Sequence, residues 1–277
     1  MPGVAHLTDF RLVAICLPPV STSVLTPEQL PQRLRALGWS LPVYSRGVVP
    51  GDGPAVAIVG ARAASAPGMA RAHHVARHLA ARGVHVVSGG ALGIDGAAHR
   101  GVLAVSGRTT VVLGNGLDLA YPRRHAGLFR DVLATGGGTL ALLPDGTPPR
   151  RSTFPQRNRL IAALADVVLV VEADVRSGSL STAASARGYR RLVVAWPGTR
   201  GCDHLLATGA AIAERPEDVE LALAGTPRYP EPPAHDVEVA TVAAAIAAGS
   251  RGVDAIAART GLSIRSVLRA LPLLERF

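Results

Sequence analysis

The chain has 277 residues, of which 48% are hydrophobic and 18% are charged, and its mean hydropathy is +0.27. This composition excludes a wholly disordered protein, and the length suits one large α/β domain with a small appendage. The formal net charge is +9, and all 29 cationic side chains are arginine because the sequence contains no lysine. Arginine suits phosphate and base contacts. A GC-rich genome also raises arginine use, so charge alone leaves nucleic-acid binding and a merely basic surface equally open.

The number of cysteines and the hydropathy of the N-terminal region indicate the cellular compartment. Cys16 and Cys202 are too few for a disulfide framework or a structural zinc site. The apolar run at 12–20 contains Pro18 and Pro19, is too short to cross a bilayer and lacks a signal-peptide layout. We therefore expect a cytoplasmic protein with no metal site, no cofactor and no membrane contact.

Short apolar runs alternate with helical patterns along most of the chain. Strands are predicted at 55–60, 84–88, 109–114, 139–143, 167–172 and 192–196. These runs show no polar alternation, which is typical of parallel strands covered by helices on both faces. Helices are predicted at 27–37, 67–82, 94–106, 124–133, 156–164 and 179–187. The alternation predicts an α/β fold with a doubly wound, mainly parallel sheet.

Composition shifts suggest four regions. Residues 1–50 form an N-terminal segment of short, Pro-interrupted pieces, and 51–222 form the α/β domain. A Pro-rich acidic linker is predicted at 223–236. Residues 237–277 contain three helical patterns, at 239–248, 253–260 and 264–274, which resemble a helix-turn-helix or winged-helix module whose wing is missing. Gly261 is expected to end the second helix and Ser263 to cap the third.

Ligands of doubly wound sheets bind beyond the carboxyl ends of the strands, and the loops there are rich in small and cationic residues. They contain neither Gly-x-Gly-x-x-Gly nor a P-loop. Their glycines let backbone N–H groups approach a phosphate, and hydroxyls before a helix N-terminus suit an anion. The phosphate-binding candidates in these loops are Arg62, Ser88, Gly89, Gly90, Asn115, Gly116, Ser177, Gly178 and Ser179.

Residues 121–160 hold seven arginines and two acidic residues. A charge run alone usually marks a solvated face. Here aromatic residues are interleaved with the arginines, an arrangement that stacks and clamps single-stranded bases. The candidates in this region are Arg123, Arg124, Phe154, Arg157, Asn158 and Arg159.

Asp95 and His99 are four residues apart on one predicted helix face. They are either a carboxylate–imidazole pair or, as we favour, an Asp of the first turn and a His that packs the helix. The sequence has no Gly-x-Ser-x-Gly, His-Glu-x-x-His or Cys-x-x-Cys pattern. We therefore predict no catalytic residues and expect a binding protein rather than an enzyme.

Taken together, the loops resemble the DNA processing protein A family (DprA, also called Smf) over residues 42–215. The resemblance is carried by Gly60-Ala61-Arg62, Gly93-Ile94-Asp95, Tyr121-Pro122, Phe154-Pro155-Gln156-Arg157-Asn158-Arg159 and Arg176-Ser177-Gly178-Ser179-Leu180. It implies an extended Rossmann-like fold and a homodimer that binds single-stranded DNA. It also implies protection of incoming DNA and help in loading the RecA recombinase during natural transformation. The family's basic pocket corresponds here to Arg62, Arg123 and the 154–159 loop.

The chain departs from the family pattern at several positions. Leu92 replaces a usual arginine, Ala141 and Leu142 replace a usual Ser-Glu pair, and His125 replaces an asparagine. These changes describe a divergent member.

Two other functions stay open from the sequence. A nucleoside-monophosphate phosphoribohydrolase carries a Pro-Gly-Gly-x-Gly-Thr-x-x-Glu loop, and the nearest stretch, 136–140, lacks the proline and the glutamate. A domain that senses a small phosphorylated nucleotide is the other alternative.

Overall fold

The computed structural model describes residues 21–231 and 234–274. Within them the chain divides into two compact units, with the boundary between Tyr229 and Pro230. No helix in the described part is long and apolar enough to span a membrane.

The first unit, within residues 21–229, is built on a nine-stranded sheet in the order β1-β2-β6-β5-β4-β3-β7-β8-β9. The strands are β1 (Ser23–Val24), β2 (Tyr44–Gly47), β3 (Ala55–Val59), β4 (His85–Ser88), β5 (Thr109–Leu113), β6 (Gly138–Ala141), β7 (Val167–Val170), β8 (Leu192–Ala195) and β9 (Ala211–Ile212). All neighbouring pairs from β6 to β9 are parallel, whereas β1 and β2 run antiparallel. The predicted Rossmann-like α/β fold is confirmed.

Helices cover both faces of the sheet. They are α1 (Gln32–Ala36), α2 (Ala66–Ala81), α3 (Ile94–Leu103), α4 (Ala126–Ala134), α5 (Thr153–Ala163), α6 (Gly178–Gly188), α7 (Arg200–Ala207) and α8 (Pro216–Leu223). β3 and β7 are buried along their whole length because helices lie on both sides. One core cluster includes Ala57 and Val168, and a second includes Val56 and Leu169, so alternate strand residues feed opposite layers.

Each of the six predicted runs forms a strand, but several elements were not predicted. Strands β1 and β2 lie within the first 50 residues and extend the sheet beyond β6. Helix α8 lies in the stretch where the sequence becomes rich in Pro and acidic residues. At the far edge of the sheet, the N–H of Ile212 in β9 donates to the carbonyl of Arg228 at 2.8 Å.

The second unit contains three helices within residues 234–274: α9 (Ala234–Ala247), α10 (Val253–Thr260) and α11 (Ile264–Leu274). Their small core includes Val242, Ile256 and Val267. As predicted, Gly261 ends α10 with a φ of +72°, and the Ser263 hydroxyl accepts from the N–H of Ser266 at 3.1 Å. No strand accompanies these helices within 234–274.

Candidate nucleic-acid interface

A cleft of about 950 Å³ opens at the carboxyl edge of the sheet. It lies where the chain order reverses, because β3 pairs with β4 on one side and with β7 on the other. Doubly wound folds bind their ligands at this switch point. A smaller cavity of about 90 Å³ adjoins the cleft and shares five lining residues with it: Arg62, Ala91, Tyr121, Phe154 and Arg157.

Arginine dominates the charge of the cleft. The charged side chains that line it are Arg62, Arg151, Arg157, Arg176, Asp95 and Asp174. Four guanidinium groups against two carboxylates favour an anionic ligand.

The loop that carries Arg62 is fixed at both ends. The Ser65 hydroxyl caps α2 by accepting from the N–H of Gly68 at 3.0 Å, and it donates to the carboxylate of Glu172 at 2.6 Å. Gly93 has a φ of +77°, and a Cβ there would lie 2.3 Å from the carbonyl oxygen of Ala61. The loop before α2 and the loop before α3 therefore meet backbone to backbone at Gly93, where only glycine fits.

Phe154 is the aromatic centre of the site. Its neighbour Thr153 donates a hydrogen bond to the carbonyl of Gly114 at 2.6 Å, which ties the first turn of α5 to the end of β5. The Arg62 and Arg157 guanidinium groups lie 4.9 Å and 5.6 Å from the Phe154 ring centroid. The Tyr121 ring centroid lies 5.9 Å away at a tilt of 40°. Two cations and an exposed second ring around one aromatic are suited to stacking unpaired bases.

A buried pair of opposite charges lies behind Phe154. Arg157 and Asp95 are only 6% and 4% exposed, and Arg157 Nη1 lies 3.9 Å from Asp95 Oδ2. Burial raises the pKa of Asp95 above its ordinary value, and the Arg157 charge offsets part of that rise. Burial also lowers the pKa of Arg157, and Asp95 opposes that change. The two charges thus interact without a hydrogen bond between their nearest atoms.

The opposite end of the cleft is the N-terminus of α6. The hydroxyls of Ser177 and Ser179 lie 2.7 Å apart, and Ser177 caps the helix. Asn158 joins α5 to α6 by donating to the carbonyl of Gly178 at 3.1 Å and to the hydroxyl of Ser181 at 2.8 Å. Free N–H groups and the positive end of a helix attract phosphate oxygens.

The structure brings together only part of the predicted site. Eight of the fifteen candidate residues line the cleft or the cavity beside it: Arg62, Gly89, Phe154, Arg157, Asn158, Ser177, Gly178 and Ser179. The other seven do not line either space: Ser88, Gly90, Asn115, Gly116, Arg123, Arg124 and Arg159.

Four of these seven have buried roles in the fold. The Ser88 hydroxyl donates to the carbonyl of Ile58 at 2.6 Å. The Asn115 amide donates to the carbonyls of Gly116 and Leu119. A Cβ on Gly116 would lie 2.6 Å from the carbonyl oxygen of Pro144, and one on Gly90 would lie 2.7 Å from Val111. These loops are close-packed against protein, which leaves no room for a phosphate.

Three candidate arginines are exposed outside the cleft. Arg123 and Arg124 lie beside Tyr121 on the surface. Arg159 lies on the exposed side of α5, where its Nε donates to the Tyr189 hydroxyl at 3.3 Å.

Sequence reasoning missed several residues of the cleft. Arg151 and Arg176 line it, as does Tyr121, one of the aromatic residues interleaved with the arginine-rich run, and Leu92 lines the smaller cavity. The exposed Arg151 belongs to the arginine-rich run, which is the signal that could have identified it.

The alternative of an Asp95–His99 pair is wrong. His99 is fully buried and its Nδ1 lies 2.9 Å from the Thr109 hydroxyl. That hydroxyl donates to the carbonyl of Val86, so Nδ1 carries the proton and donates. Burial lowers the pKa of His99 to about 3. His99 is therefore a neutral packing residue, and among the described residues no three His, Cys, Asp or Glu side chains gather as metal ligands.

The stretch that resembles a phosphoribohydrolase loop is also misplaced. Gly138 begins β6 and pairs with Gly47 of β2. The stretch 136–140 thus lies at the amino end of its strand, on the edge of the parallel sheet opposite the cleft.

A doubly wound sheet with an arginine-rich, aromatic cleft at its switch point defines a Rossmann-like protein with an anion-binding site. The family model of DNA recombination-mediator protein A matches residues 23–224, and that of the DprA winged helix domain matches 226–275. The chain belongs to the DNA recombination-mediator protein A family.

Individual relatives agree with this assignment. Protein Smf of Escherichia coli is 38% identical over 237 residues, which are 79% of this chain and 63% of that protein. The chain thus spans about three fifths of the length of that curated protein. DNA processing protein A of Streptococcus pneumoniae has a crystal structure that matches with a TM-score of 0.65 and 34% identity, over 74% of each chain. That of Helicobacter pylori, from work on its single-stranded DNA binding mode, matches with a TM-score of 0.66 and 28% identity, over 75% of this chain and 97% of the other.

Proposed function

We propose that this chain binds single-stranded DNA in the cleft at the switch point and acts as a recombination mediator, not as an enzyme. The observation that carries the proposal is Phe154, whose ring has two arginine guanidinium groups within 6 Å. A duplex keeps its bases stacked and paired, whereas a single strand offers them to an aromatic side chain. The solved relative from Helicobacter pylori, described for its single-stranded DNA binding mode, supports the proposal.

The proposal divides the roles among the residues that line the cleft. Phe154 and Tyr121 stack bases, while Arg62 and Arg157 contact the neighbouring phosphates. The N-terminus of α6, with Ser177, Gly178 and Ser179, accepts a further phosphate. The exposed Arg123, Arg124 and Arg159 extend the basic surface along the strand outside the cleft.

Family membership extends the proposal to the biological role. The protein would act in the cytoplasm as a homodimer, protect incoming single-stranded DNA and help to load RecA during natural transformation. The RecA role is tested once DNA binding is established. The measurement asks whether RecA assembles faster on a single strand that this protein coats.

The first experiment is fluorescence anisotropy of a labelled single strand and of a duplex of the same sequence, over a salt series. Three or four neutralised phosphates give a slope of log K against log salt of about −2 to −3, at roughly 0.7 per phosphate. Arg62→Gln should weaken binding to all DNA sequences alike and flatten the slope of log K against log salt by about 0.7. Arg77→Gln is the matched control, because Arg77 is exposed on α2 and does not line the cleft.

An unchanged slope in Arg62→Gln would refute the assignment of the cleft. Equal affinity for the duplex would refute the single-strand preference. A thermal shift with a mononucleotide, together with no binding of the oligonucleotide, would favour the small-nucleotide sensor instead.

A further inference from the structure

The cleft contains a buried carboxylate that an anion-binding site does not need. Asp95 is 4% exposed and still lines the cleft together with Arg62 and Arg157. An ionised carboxylate at this place repels phosphate and is costly to bury. Its position therefore calls for a role in how the cleft works.

Asp95 and Arg157 are close enough to interact but too far apart to form a hydrogen bond. Their nearest charged atoms are 3.9 Å apart. Arg157 Nε is buried and, within the described part of the chain, has no hydrogen-bond partner. Asp95 accepts a long hydrogen bond, 3.3 Å from the N–H of Ala91, and the N–H of Gly89 also faces it. The guanidinium is thus held in place electrostatically and keeps donors for a ligand.

The backbone beneath the pair limits where it can move. A Cβ on Gly89 would lie 1.5 Å from Arg157 Nη1 and 2.7 Å from Asp95 Oδ2. Both side chains therefore lie directly on the Gly89 backbone. The Gly89 backbone therefore blocks movement of Arg157 on that side, and Phe154 lies on the cleft side of it.

Charged and titratable groups face Asp95 from several elements packed around it. Arg157 faces it from α5, Arg62 from the loop before α2, and the N–H groups of Ala91 and Gly89 from the loop before α3. His125 contributes from the turn before α4; its Nδ1 lies 2.9 Å from the carbonyl of Gly90, and burial lowers its pKa. Only Asp95 among these is a carboxylate.

We propose that Asp95 is a positioning residue that holds Arg157 beside Phe154 in the free protein and takes up a proton from water when a DNA phosphate engages Arg157. The inference rests on the proposed single-stranded DNA binding. A phosphate that shares the Arg157 charge removes the main stabilisation of the Asp95 anion and adds repulsion. Protonation of Asp95 removes its negative charge and with it the repulsion. DNA binding therefore favours proton uptake, and proton uptake favours DNA binding to the same degree.

The test compares the wild type with Asp95→Asn, which keeps the shape and the acceptor oxygen but cannot ionise. Affinity for a labelled single strand is measured at constant ionic strength from about pH 5 to about pH 8, where linkage of one proton changes K by up to about tenfold per pH unit. We expect wild-type affinity to rise on acidification more steeply than that of the variant. Asp95→Asn should bind more tightly than the wild type at the upper end of the range and equally well at the lower end.

Two controls separate this effect from general causes. Asp174→Asn removes an exposed carboxylate from the same cleft. If this variant also shows a flattened dependence of affinity on pH, the net charge of the cleft explains the effect and the proposal is overturned. His125→Gln should retain the wild-type profile, and loss of the pH dependence there would assign the proton to histidine.

A second measurement needs no variant. The wild type is mixed with the strand in weak buffer containing a pH indicator, and proton uptake of up to one per bound strand is expected. No uptake, or parallel affinity profiles of the wild type and Asp95→Asn, would overturn the inference while leaving DNA binding intact. Absence of wild-type binding at every pH would overturn the proposed function as well.

Discussion

Mild acid should destabilise the first unit through two histidines, of which one is buried and the other half-buried. His99 lies under α3 against Thr109, and burial lowers its pKa to about 3. His85 lies 2.8 Å from the Thr110 hydroxyl, and burial lowers its pKa to about 4. Both are neutral in the folded protein at pH values where an unfolded chain carries the charged form, because the ordinary histidine pKa is about 6.5.

The sign and size of the effect follow from proton binding. Below about pH 6.5 the unfolded chain binds protons that the folded chain does not, so stability falls as pH falls. The loss is about 1.4 kcal/mol per pH unit for each histidine, and it levels off only at the folded-state pKa. Between about pH 7.5 and about pH 5 each histidine therefore lowers the free energy of unfolding by about 2 kcal/mol.

The assay is urea unfolding followed by tryptophan fluorescence. Trp39 and Trp196 both belong to the first unit, so the signal reports on that unit. His99→Gln retains a donor for Thr109 but has no titrating ring. Its free energy of unfolding should therefore fall by about 2 kcal/mol less than that of the wild type on moving to about pH 5. His74→Gln, at an exposed position of α2, is the control for loss of an imidazole. If His99→Gln and the wild type lose stability in parallel, the reasoning is refuted.

Two further substitutions test the aromatic centre and the loop that supports it. Phe154→Leu should weaken single-strand binding by about 1–3 kcal/mol per stacked base without changing the salt slope, because no charge is removed; unchanged anisotropy titrations would contradict stacking. Gly93→Ala should lower the stability of the first unit by more than about 1 kcal/mol in urea, because φ is +77° and the new Cβ would meet the carbonyl of Ala61. Gly178→Ala, which has open space around it, is the matched control, and equal urea midpoints for the two variants would count against the packing argument.

The central strands could be predicted because burial on both faces leaves continuous apolar runs in the sequence. The edge elements carry no such run. β2 is only partly buried and contains Arg46, whose charge is paired with Asp145 at 2.8 Å. β9 has only two residues. Helix α8 did have a signal, since Pro216 at its first turn followed by Glu217 is favourable at a helix N-terminus.

The site was partly predictable for a related reason. The sequence shows which residues follow a strand, and strand ends gather at one edge of a parallel sheet. It does not show whether a side chain at such a position points outward or back into the fold. The Ser88 and Asn115 side chains bond to backbone groups inside the fold, whereas Arg62 remains exposed. The proximity of Asp95 to Arg157, 62 positions later in the numbering, depends on tertiary packing alone.

The contact between β9 and Arg228 bears on how the protein behaves at high concentration. An open edge strand presents unpaired N–H and C=O groups that can recruit another chain. Here the carbonyl of Arg228 accepts from Ile212, and the Arg228 side chain is anchored to the buried Asp218 at 2.8 Å. The segment thus caps the sheet with a charged residue, which protects the molecule from edge-to-edge aggregation at this side.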